Sequence, residues 1–222
     1  MHGCSTCPHL DYPFEIRKDR TWLNFKLKKF VYRNSKLNLV VASHWMKRLV
    51  ECSPLLAHCP IHHIPFGLDM DVFAPGDKAA ARRTFGLSND RIVIGLRAIQ
   101  GPYKGYEYAL QALQAMPRSL PVQILTCQGE GLFDALRDKF PVVDLGPLYG
   151  DAAMAMFFHA TDIHLMPSMA ESLGMMAMEA AASGVPSVVF SGSPLEQTAF
   201  VPQGGVSVPR ADAQALSAAL VR

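Results

Sequence analysis

The chain has 222 residues, half of them hydrophobic, with 21 Lys/Arg, 19 Asp/Glu and a formal net charge of +2. That is enough apolar material for one large or two small domains with cores, and no apolar run of the eighteen or so residues that a membrane span needs is present. Residues 1–68 carry ten Lys/Arg against four Asp/Glu, whereas residues 69–222 carry eleven against fifteen. A basic first third suits phospholipid, nucleic acid or an anionic substrate, and charge alone does not choose among them. Five cysteines at irregular spacing suit a reducing compartment better than a disulfide scaffold, and Met1-His2-Gly3-Cys4 lacks the apolar core of a signal peptide. A cytoplasmic location is expected.

In chain order, residues 21–33 read as a basic helix with Trp22, Leu23, Phe30 and Val31 on its apolar side. A buried-type strand over 37–43, a helix over 44–56 and an extended piece over 61–67 follow. The turn-rich stretch 68–77 has the look of an interdomain connection, which divides the chain into 1–68 and 69–222. Beyond it short apolar strands alternate with helices. Strands are expected over 91–96, 122–126, 142–145, 163–166 and 187–190. Helices are expected over 105–116, 131–138, 151–160 and 172–183, with one more from about Ala211. That alternation predicts an α/β domain: a Rossmann-like parallel sheet covered on both faces, with its ligand at the carboxyl ends of the strands.

Three loops at those ends carry ionisable or glycine-rich chemistry. The first, 95–105, brings Arg97 and Lys104 to the mouth of the sheet, where guanidinium and ammonium groups can hold phosphate; two solvated loop cations are the plainer alternative. The second, 126–131, holds Gly129 and Gly131, which permit close approach of a ligand but more often mark a turn. The third runs from Glu171 to Glu179. Glu179 stands alone among Met and Ala on the expected 172–183 helix, a costly place for a carboxylate unless something binds it. Glu171 precedes the helix, whose start presents free amides and the positive end of its dipole. Eight residues of helix would set the two acids on the order of 12 Å apart along the axis, with room for an anion between them.

The run from Glu171 to Pro186 resembles the E-x7-E signature of retaining family-4 (group 1) glycosyltransferases, and other pieces agree in order. Ile64-Pro65-Phe66-Gly67-Leu68-Asp69 through Phe73-Ala74-Pro75 is similar to that family's "IPNGVD…F.P" segment, with Phe66 in place of Asn. Lys104-Gly105 resembles its "KG", Asp162 through Ser168 its "DVFVLPS", and Gly204 through Pro209 its late "G.LVP" turn. The resemblance implies a GT-B fold, whose C-terminal donor domain binds a nucleotide-diphospho-sugar with no cofactor and no metal. It implies that Glu171 contacts hydroxyls of the transferred sugar and Glu179 the ribose. The start of the helix, from Ser172 and Leu173 to the amides of Gly174, Met175 and Met176, would hold the diphosphate. Lys104 and Arg97 would neutralise it as it leaves, and the anomeric configuration would be retained. The family's Arg usually stands one residue nearer the Lys than Arg97 does.

On that resemblance 1–68 is expected to be a remnant of an acceptor domain, so the sequence looks truncated at both ends and exposed apolar surface would favour self-association. Cys4-Ser5-Thr6-Cys7-Pro8-His9 resembles half of a cysteine-bearing insertion of exopolysaccharide or colanic-acid-type members. It supplies at most half a zinc site, and no metal is expected. His44, His62, His63, His159 and His164 are expected to be structural. Lys26, Lys28, Lys29 and Arg33 would suit anionic lipid at the inner face of a membrane or form the solvated face of an ordinary helix, and a saccharide or lipid-linked acceptor is the implied partner. No aromatic stacking motif or DNA-reading motif supports a nucleic-acid role. The alternative to an enzyme is a catalytically inactive nucleotide-sugar-binding or interaction module.

Overall fold

The computed structural model describes residues 7, 10, 15–101 and 103–221; Cys4 and His9 of the half-zinc motif lie outside them. The chain divides into two compact units, Met1–Pro65 and Phe66–Arg222.

The first unit holds α1 (Thr21–Arg33), β1 (Leu39–Val41), α2 (His44–Glu51) and β2 (Ile61–His63), with the two strands parallel and Leu39 in register with Ile61. The Ser43 side chain caps α2 by accepting the Met46 amide at 3.1 Å. The helix stops at Glu51 rather than at 56 because Ser53-Pro54 follows, and the residue before a proline is pushed out of the helical region. No residue of α1 is buried, so the side carrying Trp22, Leu23, Phe30 and Val31 is apolar as expected but exposed.

The second unit opens with a helix not among those expected from sequence, α3 (Lys78–Phe85). Its signals were present: Asp77 accepts the Ala80 amide at 2.9 Å as N-cap, and Gly86 closes it in the left-handed region. The alternation then runs β3 (Ile92–Arg97), α4 (Tyr106–Ala115), β4 (Val122–Cys127), β5 (Val142–Asp144), α5 (Asp151–Ala160), β6 (Ile163–Met166), α6 (Met175–Ala182) and β7 (Ser187–Phe190). The short α7 (Leu195–Thr198) and the strand β8 (Gly205–Val208) were not anticipated, the latter lying where a turn was expected; α8 (Ala213–Val221) follows. The helix expected over 131–138 is a single 3-10 turn, Asp134–Leu136.

All six strands of this unit pair in parallel in the order β5-β4-β3-β6-β7-β8. Successive residues of each strand feed opposite layers. Ile94, Leu96 and Ile124 pack with Leu113 of α4, and Val93 and Leu125 pack with Phe157 and Phe158 of α5. Both faces are therefore buried, which explains why the strands are mainly apolar. Chain order reverses between β3 and β6, so the loops leaving those neighbouring strands diverge to opposite faces and leave a crevice between them.

At that crevice the two loops touch. Gly105 has φ of 66°, and a Cβ there would stand 2.0 Å from the Pro167 carbonyl oxygen. Gly105→Ala combines left-handed strain with this backbone clash and is expected to cost about 2 kcal/mol or more. A chemical-denaturation midpoint close to wild type would show that the loops separate without penalty.

Candidate functional site

Arg97 closes β3, and the loop beyond it carries Lys104; the loop beyond β6 carries Glu171. The Tyr103 carbonyl accepts the Met169 amide at 2.8 Å and the Ala170 amide at 3.3 Å, which joins the two loops directly. On this brace the Lys104 ammonium donates to the Glu171 carboxylate at 2.7 Å. The pair is unequally solvated, with the Lys104 side chain 40% exposed and that of Glu171 13%.

Together these elements enclose a cleft of about 190 Å³. Of the residues expected at the site, Arg97, Lys104, Glu171, Ser172, Gly174, Met175 and Met176 line it. Leu173 does not: it is buried, and its carbonyl accepts a hydrogen bond from the Thr198 hydroxyl at 3.3 Å. Phe66, Ile99, His164 and Ser168 also line the cleft and were not singled out for it from sequence.

The helix behind the cleft begins three residues later than expected. Gly174 sits at φ 94°, and a Cβ there would stand 2.3 Å from Leu195 Cδ2. This left-handed corner lets the chain turn tightly into α6, and no side chain caps the helix start. Ser172 and Leu173 therefore lie in the approach loop, and Glu171 lies on no helix. The axial separation reckoned along one continuous helix does not apply to the two acids.

Glu179 is on α6, half-buried and outside the lining of the cleft. Burial raises its pKa, the Asp151 carboxylate raises it further, and the Arg97 guanidinium opposes both. Arg97 Nε also donates to the Gln128 side-chain oxygen, and Gln128 holds a left-handed conformation at φ 59°. The Arg97 side chain thus connects the 126–131 loop, the cleft and the field at Glu179.

His164, on the cleft floor, shares a hydrogen bond between Nδ1 and the Ser187 hydroxyl at 3.0 Å. Burial pushes its pKa down to about 4, so at neutral pH it is an uncharged packing residue. His159 bonds the Ala74 carbonyl at 2.8 Å, His62 meets the Asn38 side chain at 3.2 Å, and the His44 and His63 rings meet at a tilt with centroids 4.1 Å apart. Among the described residues no three His, Cys, Asp or Glu side chains gather as a metal site. No helix among them is long and apolar enough to cross a membrane.

A parallel sheet that reverses order between β3 and β6, with two cations and an uncapped helix start at that point, defines a doubly wound α/β domain with its cleft at the reversal. Residues 90–222 match the family model described as Glycosyl transferases group 1, and the chain belongs to that family. It is 33% identical over 151 residues to D-inositol 3-phosphate glycosyltransferase of Mycobacteroides abscessus, covering 64% of this chain and 34% of that one. It is 35% identical over 136 residues to the protein of the same description from Segniliparus rotundus, covering 56% and 30%. The chain thus spans about a third of the length of these curated relatives.

Among solved structures it resembles sucrose-phosphate synthase from Thermosynechococcus elongatus, with TM-score 0.75, 23% identity, and 93% of this chain and 53% of that one covered. It also resembles Anabaena HepE in complex with UDP and glucose, with TM-score 0.66, 19% identity, and 85% and 53% covered. At such identities these neighbours share the fold. The Rossmann-like parallel sheet expected from sequence is the fold observed.

Proposed function

We propose that the second unit is the donor-binding part of a retaining, family-4-type glycosyltransferase. It takes a nucleotide-diphospho-sugar and passes the hexosyl unit to a saccharide or lipid-linked acceptor. The carrying observation is that Lys104 and Glu171, far apart in sequence, meet in one cleft at the reversal point of the sheet. That cleft offers positive charge for a diphosphate and a carboxylate for sugar hydroxyls within a few ångströms of each other.

The diphosphate lies against the amides of Gly174, Met175 and Met176, with Lys104 and Arg97 beside it. Glu171 orients the transferred sugar, and Glu179 accepts from the ribose hydroxyls. As the bond from the anomeric carbon to the diphosphate breaks, negative charge grows on the phosphate oxygens. The two cations and the helix start stabilise it there, and we assign that role to them rather than to a metal ion. The first unit corresponds to part of the acceptor half. Its α1, with Lys26, Lys28, Lys29 and Arg33 and no acidic residue, supports peripheral contact with anionic lipid.

Titration calorimetry with UDP, GDP and ADP tests the donor site, and saturable binding of at least one is expected. Transfer or slow donor hydrolysis supports an enzyme; binding with neither activity supports an inactive module.

Glu179 gives the assignment a second readout. With its pKa raised in the fold, its ionised form works against folding near neutral pH. Glu179→Gln is therefore expected to raise the thermal midpoint while weakening nucleoside-diphosphate binding. In the wild type, affinity falls with decreasing pH from above the ordinary glutamate range of about 4.3. A variant that binds as well as wild type removes Glu179 from the site.

A further inference from the structure

One wall of the cleft has no part in the chemistry above. Phe66 lines it beside Lys104, Glu171 and Ser172, and 54% of the residue is exposed. The ring belongs to neither main core cluster, although Leu68 packs against one of them and Phe73, at 2% exposure, lies inside it. The segment is therefore anchored downstream while the ring stays out in the cleft. Large apolar side chains so placed in a polar, charged recess suit a ligand with both polar and apolar faces.

A pyranose ring is such a ligand: its equatorial hydroxyls lie around the rim, and its axial C–H bonds project from the ring faces, each of which offers an apolar patch. Glu171 offers acceptors for the rim, and the Phe66 ring offers a flat apolar surface for a C–H face. Neither phosphate nor ribose hydroxyl gains from an aromatic carbon surface. Glu179, the residue assigned to the ribose, lies outside the cleft lining that includes Phe66. Phe66 shares that lining with Glu171, the residue assigned to the transferred sugar, and this favours the sugar over the base as the ring's partner. The motif that this segment resembles has Asn at the position, a side chain with amide donors and a carbonyl acceptor; phenylalanine has neither.

We propose that Phe66 is a specificity-determining residue that holds a C–H face of the transferred pyranosyl group while Glu171 holds its hydroxyls. This rests on the cleft being a nucleotide-sugar site. The residue favours a sugar that turns contiguous C–H bonds, or a deoxy position, toward the ring. A sugar that turns a hydroxyl toward it would lose a hydrogen bond to water and gain none.

The test separates the two readings. UDP, GDP and ADP, and UDP-glucose, GDP-mannose and ADP-glucose, are titrated into wild type, Phe66→Ala, Phe66→Asn and Phe66→Trp. For the base that binds, the ratio of nucleoside-diphosphate Kd to nucleotide-sugar Kd measures what the sugar contributes. That ratio is expected to fall about fivefold in Phe66→Ala and Phe66→Asn, and to persist in Phe66→Trp. The Kd of the bare nucleoside diphosphate is expected to stay within about twofold of wild type. An unchanged ratio overturns the proposal. So does an equal loss for bare nucleoside diphosphate, which would mean that the ring stacks on the base. Absence of nucleoside-diphosphate binding to wild type defeats the donor-site reading itself, and this proposal with it. Since the ring is largely exposed, denaturation midpoints of the variants should match wild type and certify the comparison.

Discussion

Lys104→Ala is expected to weaken binding of the best nucleoside diphosphate about ten- to hundredfold, the loss of one charge-assisted hydrogen bond to phosphate. The structure adds a second half to this expectation. In the free protein the Lys104 ammonium is 2.7 Å from the Glu171 carboxylate, so an arriving diphosphate competes with that carboxylate for the cation. Glu171→Gln removes the competitor and keeps the shape. It is expected to tighten binding of the bare nucleoside diphosphate several-fold while reducing sugar transfer or donor hydrolysis. Calorimetry on the two single variants and the double variant closes the cycle. The gain in Glu171→Gln should vanish when Lys104 is also absent. Equal affinities in wild type and Lys104→Ala would remove this lysine from the phosphate site.

Asp162→Ala is expected to cost about 3–5 kcal/mol, the largest stability loss we anticipate for a single substitution. Asp162 receives Lys78 at 2.7 Å, the Val93 amide at 2.8 Å and the Arg82 guanidinium. Arg82 is 4% exposed, and its other contacts are the carbonyls of Ala160, Asn89 and Arg91. Without the carboxylate a buried cation is left with dipoles alone. Burial raises the Asp162 pKa, but Lys78, the Val93 amide and Arg82 outweigh it and hold the carboxyl below its usual range. A group with a lowered folded pKa stabilises the fold above its unfolded value of about 3.9, and that contribution fades as pH falls through the folded one. Urea midpoints of wild type should therefore drop more steeply below about pH 4 than those of Asp162→Asn. Parallel profiles would exclude an ionised Asp162 from the fold's support.

How much of this could be read from sequence follows from the range of each interaction. The strands β3 to β7 were readable because both faces of the sheet are buried, which leaves mainly apolar runs such as Val122 to Cys127, every residue of which is buried. Arg97, Lys104 and Glu171 were identified because charges beside strand ends are visible locally. Their meeting was not, since Lys104 and Glu171 are 67 residues apart and only the β3–β6 pairing brings them together. The start of α6 was expected at Ser172, three residues before the helix forms. The true corner is Gly174, selected by Leu195 pressing on it from a later element. The caps of α3, Asp77 and Gly86, are local signals, although the turn-rich stretch before the helix carries no long apolar run. Phe66 is a wall of the cleft through tertiary placement alone, and no spacing rule announces it.

The Tyr103 carbonyl, by accepting the amides of Met169 and Ala170, has a consequence for how such a site could be altered. Two segments stitched edge to edge cannot be varied independently: an insertion in either would carry the ammonium and the carboxylate out of alignment together. Exchange of donor preference between proteins built this way would have to transplant both segments as one cassette, seam included.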